Sequence, residues 1–239
     1  MNTNLARKEV VDVVDDVIPN IYALENTEVS NENILKRQSP YRYIKRFMDV
    51  ILATIAFVVL SPIFLIIAIA IKIESKGPVF FKHARIGKNG KIIKLYKFRS
   101  MVINAEELIK SFTPEQMKEY KENYKLTNDP RITKIGKFLR KTSLDELPQL
   151  FNIIKGDLSI IGPRPVVTDE LKKYGTNTEK FLSVTPGLTG YWAANGRSCT
   201  SYEQRMQMEL YYIDNLSLKM DIKVFFKTIE AVIKGEGAI

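Results

Sequence analysis

The stretch VVLSPIFLI, residues 58–66, lies in the middle of an uncharged run covering residues 50–71, and it puts a proline where a membrane helix would have its centre. Twenty-two residues make about 33 Å of helix, enough to cross a bilayer. Pro62 has no amide hydrogen to give to the carbonyl of Val58, and in hydrocarbon an orphaned carbonyl is costly. The hydroxyl of Ser61 is placed to turn back onto a preceding carbonyl, which relieves the loss and bends the helix. Two geometries follow: a proline-kinked span, or a helix-break-helix that enters and leaves one leaflet. Composition alone admits the kinked span, since membrane helices tolerate proline.

The flanks separate the two. Arg42, Lys45 and Arg46 precede the run, and Lys72, Lys76, Lys82 and Arg85 follow it. By the positive-inside rule both ends belong to the cytoplasm, which a single span does not allow. Two arms of about a dozen residues each reach roughly 16–18 Å, half the membrane depth. The sequence therefore reads as a re-entrant hairpin with Ser61 and Pro62 at its buried apex.

Charge is uneven along the rest of the 239 residues. Residues 1–40 hold seven acids and four bases without a sustained apolar face, which predicts a flexible acidic extension and no signal peptide. The remaining 199 residues carry a net charge of +12, so the expected partner is anionic: nucleic acid, lipid or a phosphorylated substrate. With one cysteine, Cys199, and one histidine, His83, an internal disulfide and a multi-histidine metal centre are excluded. Any metal is expected to be hard, magnesium or manganese, held by carboxylates and phosphate.

PVFFKH (78–83) and KIIKLYKF (91–98) read as short strands, the second leading Lys97 and Arg99 onto one face and Tyr96 and Phe98 onto the other. Residues 101–124 read as helical and charged. TKIGKFLRKTS (133–143) gathers Ile135, Phe138 and Leu139 on one helical face opposite Lys134, Lys137 and Lys141, a pattern that suits anionic headgroups or simple solvation.

In TSLDELPQLFNIIKGD (142–157), Ser143 and Glu146 have capping-box spacing ahead of Leu147, Leu150, Phe151 and Ile154. This predicts a helix that holds Asp145 and Glu146 in its first turn, where the dipole keeps carboxylates ionised and attracts phosphate. Neighbours on a helix point about 100° apart, so the two are expected to hold different jobs. One suits nucleophilic attack on phosphorus and the other suits metal or proton handling, although acids also favour first turns for stability alone. Pro148 sits one position late for a first-turn proline and predicts a shifted or strained start.

GDLSIIGPRP (156–165) delivers Arg164 between two prolines, pre-orienting a guanidinium for phosphate; a structural bridge to Asp157 or to a helix end is the alternative. TPGLTGYWAANGR (185–197) adds Gly187, Gly190 and Gly196, which permit close backbone approach, then Arg197. Tyr191 and Trp192 suit a membrane interface, base stacking or ordinary packing. Asp221, in YYIDNLSLKMD (211–221), has the position of a cap or ion-pair partner.

Together these blocks resemble the bacterial sugar transferases, monotopic phosphoglycosyl transferases that load a sugar 1-phosphate onto a polyprenyl phosphate. YRYIKRFMDVILA leading to LSP, KLYKFRSM, DPRITKIGKFLRKTSLDELPQLFNIIKGDLSIIGPRP, TPGLTGYW with NGR, and YYIDNLSLKMD carry the resemblance, over about residues 41–235. The fold it implies is α+β: a re-entrant membrane hairpin at 41–75 and a mainly helical cytoplasmic catalytic domain with a small sheet at 76–239.

The resemblance implies that Asp145 attacks the β-phosphorus of a UDP-sugar, that UMP leaves, and that undecaprenyl phosphate takes the sugar phosphate from the aspartyl intermediate. It makes Glu146 the second member of a dyad associated with Mg2+ and proton handling. Arg140, Arg164, Arg197 and Asp221 match positions tied to phosphate binding or site integrity. The implied setting is the cytoplasmic face of the bacterial inner membrane, among membrane lipid, in capsule or exopolysaccharide assembly. Galactose or glucose is the sugar favoured by that likeness, with N-acetylated sugars left open, and oligomeric state, a homo-oligomer included, is not legible.

Two departures stand out. The chain lacks the large multi-span amino-terminal region of longer members and reads as a minimal catalytic form, and residues 103–127 are longer than in the shortest members. The contrasting readings are a single-span, non-enzymatic protein binding nucleic acid or lipid and a metal-dependent phosphatase. No helix-turn-helix or RNA-binding signature supports nucleic acid as a partner.

Overall fold

The computed structural model describes residues 39–123, 126, 128–195 and 200–234. The expected acidic extension and Arg197 lie outside them, apart from Ser39 and Pro40 at the start of the first helix.

Helix α1 (Ser39–Val59) and helix α2 (Ser61–Glu74) meet at Leu60 and are bent by 59°. Among the described residues no single helix is long and apolar enough to cross a membrane; the bent pair passes that test only together. The bend has a local cause. Pro62 leaves the Val58 carbonyl without its helical donor, and the Ser61 hydroxyl donates to that carbonyl at 2.8 Å. The ladder resumes at once, with the Phe64 amide on the Leu60 carbonyl.

One side of the hairpin is exposed and apolar, including Val58, Val59, Leu65, Ile66 and Ile73. The other side buries Ala53, Ile67 and Ile71 against the rest of the protein.

Strands β1 (Phe80–Ile86) and β2 (Ile92–Phe98) form an antiparallel hairpin with Phe80 opposite Phe98 and Ile86 opposite Ile92. Asn89 (φ 54°) and Gly90 (φ 73°) supply the left-handed residues of the turn. Strand β1 extends three residues past the expected PVFFKH, because pairing with Ile92–Lys94 holds Ala84, Arg85 and Ile86. Both faces of β2 are covered. Ile93 and Leu95 pack with Leu150 and Ile153, while Phe98 packs with Ile67, Ile71 and Leu139.

Helices α3 (Ala105–Leu108) and α4 (Pro114–Asn123) occupy the expected charged helical region. Helix α5 (Lys134–Lys141) starts where Thr133 Oγ1 accepts the Gly136 amide at 2.9 Å, and it packs on α2.

The predicted capping box does not form. Ser143 is left-handed (φ 56°) and makes no side-chain cap; Leu144–Glu146 is a 3-10 turn, and helix α6 (Gln149–Lys155) begins only after Pro148. Proline explains this, since Pro148 cannot donate to the Leu144 carbonyl. The segment tightens instead into i to i−3 bonds, Leu147 to Leu144 and Leu150 to Leu147. Asp145 and Glu146 therefore precede the helix and are not its first turn.

A second small sheet pairs β3 (Ser159–Ile161) with β4 (Gly187–Thr189) in parallel. Helices α7 (Thr168–Lys172) and α8 (Thr178–Leu182) fill the crossover, and α9 (Tyr191–Asn195), α10 (Tyr202–Asp214) and α11 (Leu218–Lys234) complete the fold. The result is helix-rich with two two-stranded sheets among the described residues, where a single small sheet was expected.

Polar ties fix the hairpin and α6 to this frame. Arg46 of α1 donates to the Ile153 and Ile154 carbonyls at the end of α6, at 2.6 and 2.8 Å. Asp49 accepts the Ile160 amide at 3.0 Å. Asn152, fully buried, bridges α6 to β2 by accepting from the Tyr96 amide and donating to the Lys94 carbonyl.

Candidate active site

The 3-10 turn points its two acids differently, as the sequence predicts for neighbours. Asp145 is buried at 9% exposure, whereas Glu146 lines a cavity shared with Lys97, Arg85, Arg164 and Trp192. Lys97 reaches the turn from the β2 face that buries Ile93 and Leu95, and its Nζ pairs with Glu146 Oε1 at 2.5 Å. Arg140, at the end of α5, donates from Nε to Ser100 Oγ at 2.9 Å and lies close enough to Asp145 to act on its charge.

Burial raises the Asp145 carboxyl above the usual carboxylate range; Lys97 opposes this, Glu146 adds to it, and Arg140 opposes it. An aspartate held in a dry place beside two cations is ionisable and poorly hydrated, a combination that favours nucleophilic attack on a centre of high positive charge.

The cavity wall is cationic. Burial, then Arg85, Lys97 and Arg164, pushes the His83 imidazole down to about 4, so that it is neutral at pH 7. Burial and then Arg164 lower the Arg85 guanidinium to about 10. Three cations around one hollow are arranged to take up a polyanion.

Arg164 emerges between the buried Pro163 and Pro165 with its side chain exposed and its guanidinium 5.9 Å from the Trp192 ring centroid. Asp157 is paired with Lys155 at 2.9 Å, so the alternative bridge to Arg164 is not made. Gly187 and Gly190 also line the hollow, but their close approach is to protein. A Cβ on either would stand 2.1 Å from the Gly162 backbone, so glycine is what lets β4 lie against β3. Trp192 donates from Nε1 to Thr200 at 2.7 Å and carries Arg205 over its ring, which places it in the site wall.

Asp221 is brought elsewhere. It lies in the first turn of α11 and accepts from Tyr41 at 2.8 Å, Lys45 at 2.7 Å and Tyr212 at 2.6 Å, tying the start of α1 to the α10–α11 pair. Arg99, expected on the face of Lys97, instead donates to the Ser75 and Lys76 carbonyls just past α2. Sequence reasoning missed Arg85, Gln149 and Glu209 in the cavity wall. Arg85 was legible only as a flank charge, and nothing in the polar run of α10 distinguishes Glu209.

All donors for a cation at the turn are oxygens. Asp145 and Glu146 are its carboxylates, and no group of three His, Cys, Asp or Glu side chains suited to a metal gathers among the described residues. Two carboxylates fit Mg2+ when substrate phosphates complete the shell.

The chain is a member of the bacterial sugar transferase family, whose sequence profile matches residues 40–235. It is 44% identical over 211 residues to an uncharacterized sugar transferase of Haemophilus influenzae, covering 87% of this chain and 44% of that protein. It is 41% identical over 209 residues to the undecaprenyl-phosphate galactose phosphotransferase of Salmonella typhimurium, covering 86% and 43%. It is 45% identical over 197 residues to the exopolysaccharide production protein ExoY of Sinorhizobium fredii, covering 81% and 87%. The chain thus spans less than half the length of the first two and most of the third.

Proposed function

We propose that this protein transfers a sugar 1-phosphate from a UDP-sugar to undecaprenyl phosphate at the cytoplasmic face of the bacterial inner membrane. The observation that carries this reading is the buried Asp145 beside Lys97 and Arg140, next in the chain to Glu146, which lines a hollow walled by Arg85 and Arg164.

In the first step a carboxylate oxygen of Asp145 attacks the β-phosphorus. The bond from that phosphorus to the bridging oxygen breaks, and UMP leaves with the electron pair. Lys97, Arg85 and Arg164 face the diphosphate and offset the charge that builds on the leaving oxygen. In the second step an undecaprenyl phosphate oxygen attacks the same phosphorus, forming the lipid diphosphate sugar and returning Asp145 as a carboxylate. Arg140 and Arg164 hold phosphate in this scheme, and Asp221 maintains the site by fixing the hairpin. Mg2+ would be held by Asp145, Glu146 and diphosphate oxygens and, when bound, would neutralise phosphate charge.

The hairpin supports the membrane half of the reading. Its outer side is apolar, its first arm carries Arg42, Lys45 and Arg46, its second carries Lys72 in the last turn with Lys76 just beyond, and α2 rests on α5, which leads into the Asp145 turn. A half-depth anchor sets a nucleophile level with lipid phosphates, so one site meets a soluble dianion and a greasy phosphate.

The test is UMP release from a panel of UDP-sugars, galactose and glucose first, with undecaprenyl phosphate and Mg2+ in detergent micelles. Asp145→Asn is expected to abolish release; undiminished turnover in that variant refutes the assignment.

A further inference from the structure

Glu209, near the middle of α10, is the most deeply buried acid beside the hollow, with 1% exposure, and no step above uses it. One oxygen is engaged: Oε1 accepts the Arg164 amide at 3.0 Å. Oε2 is buried without a hydrogen-bond partner among the described residues. Leaving a buried carboxylate oxygen unsatisfied is destabilising, and such an oxygen is completed by ordered water or by a donor of a ligand.

The neighbouring cations do not satisfy it. Arg205 directs its Nη2 to Glu170 at 3.3 Å and lies over Trp192 and Tyr202, and Arg164 sends its guanidinium towards Trp192. Glu209 is nonetheless part of the cavity wall. Gly190, also in that wall, is the neighbour on the Oε2 side, since a Cβ there would stand 3.9 Å from Oε2.

An acceptor sunk in a cationic hollow that takes a polyanion meets only the neutral donors of that polyanion. We propose that Glu209 Oε2 accepts a hydrogen bond from a neutral donor of the bound nucleotide sugar, an imide N–H or a hydroxyl, while Oε1 holds the Arg164 backbone. This inference rests on the nucleotide-sugar reading of the site. It makes Glu209 a specificity residue: a ligand lacking the donor leaves the carboxylate oxygen unpaired in the complex.

The test is calorimetric binding, at about pH 8 so that the Glu209 carboxyl is ionised, of UMP, N3-methyl-UMP, 2′-deoxy-UMP and UDP-galactose to the full chain in detergent micelles, for wild type and Glu209→Gln. Glutamine keeps an oxygen for the Arg164 amide and replaces the second oxygen with a donor. Its complexes are expected to weaken by about 10- to 100-fold, with a melting temperature close to wild type. Weakening of UMP together with rejection of N3-methyl-UMP by wild type assigns the imide. Weakening of UMP with rejection of 2′-deoxy-UMP assigns a ribose hydroxyl, and weakening of UDP-galactose alone assigns the sugar; each supports the proposal. A folded Glu209→Gln protein that binds UMP and UDP-galactose within twofold of wild type overturns it. Should that variant not fold, wild type alone decides: equal affinity for UMP and both its analogues, with UDP-galactose bound no better than UDP, overturns it. Wild type that releases no UMP from any UDP-sugar defeats the proposed function, whereas turnover unchanged by Glu209→Gln defeats only this inference.

Discussion

The Ser61 hydroxyl donates at 2.8 Å to the Val58 carbonyl, the acceptor that Pro62 deprives of its amide. A bend built on one proline and one serine is testable by separating them. Ser61→Ala leaves the carbonyl unsatisfied and is expected to lower stability by about 1–3 kcal/mol without changing topology. Pro62→Leu returns the amide and lets residues 50–71 straighten. Paired cysteines placed before residue 42 and after residue 76 are expected to be labelled from one side in wild type and Ser61→Ala, and from both sides in Pro62→Leu. Two-sided labelling of wild type contradicts the re-entrant reading.

Lys97 holds Glu146 and lowers the Asp145 carboxyl against the effect of burial. Lys97→Met removes both influences and is expected to reduce turnover by about 100-fold or more, of the order seen when one charge-stabilising donor is lost. A loss confined to KM would argue that Lys97 only binds substrate.

The rate should also fall with acid at a pH above the ordinary aspartate value of 3.8, because burial raises Asp145 and only the ionised form attacks. In Lys97→Met the acid limb of kcat against pH is expected to move to higher pH. An unmoved limb would separate the limb from Asp145.

Asp221→Asn tests the other cluster. The variant loses the charge that Lys45 faces and weakens the bonds from Tyr41 and Tyr212, so thermal stability is expected to fall by about 2–4 kcal/mol. The KM for UDP-sugar in the remaining folded enzyme should change less than threefold, because Asp221 does not line the hollow. A large KM effect at unchanged stability would return Asp221 to phosphate binding.

Glu209 adds a stability signature. Burial raises its carboxyl to about 7, from 4.5 in the unfolded chain. Between those values the folded protein holds more protons than the unfolded one, so this residue's contribution to stability declines as pH rises from about 4.5 to 7. Glu209→Gln is expected to flatten that part of the melting temperature profile.

How much of this the sequence disclosed follows from which forces are local. The hairpin break was legible because a proline's missing amide and a serine's reach act within four residues. Strands β1 and β2 were legible from alternation, though not their pairing, and α5 was legible from its periodicity. The capping box failed for an equally local reason, and the shifted start that Pro148 predicts is what forms: Pro148 denies the Leu144 carbonyl its donor, which tightens the turn and takes Asp145 and Glu146 out of the helix. What stayed hidden depends on tertiary approach. Lys97 meets Glu146 across 49 positions and Glu209 meets Arg164 across 45, separations that no pattern in either segment encodes. Gly187 and Gly190 read in the sequence as room for a ligand, and their room is taken by the neighbouring strand.

The covalent step is tested most directly by mass spectrometry of the full chain mixed with UDP-galactose in the absence of undecaprenyl phosphate. The account predicts a phosphohexose adduct on the peptide that contains Asp145, discharged when the lipid phosphate is added and missing from Asp145→Asn. Robust lipid-linked product from a wild-type enzyme that never carries this adduct, or an adduct that persists in Asp145→Asn, would contradict it.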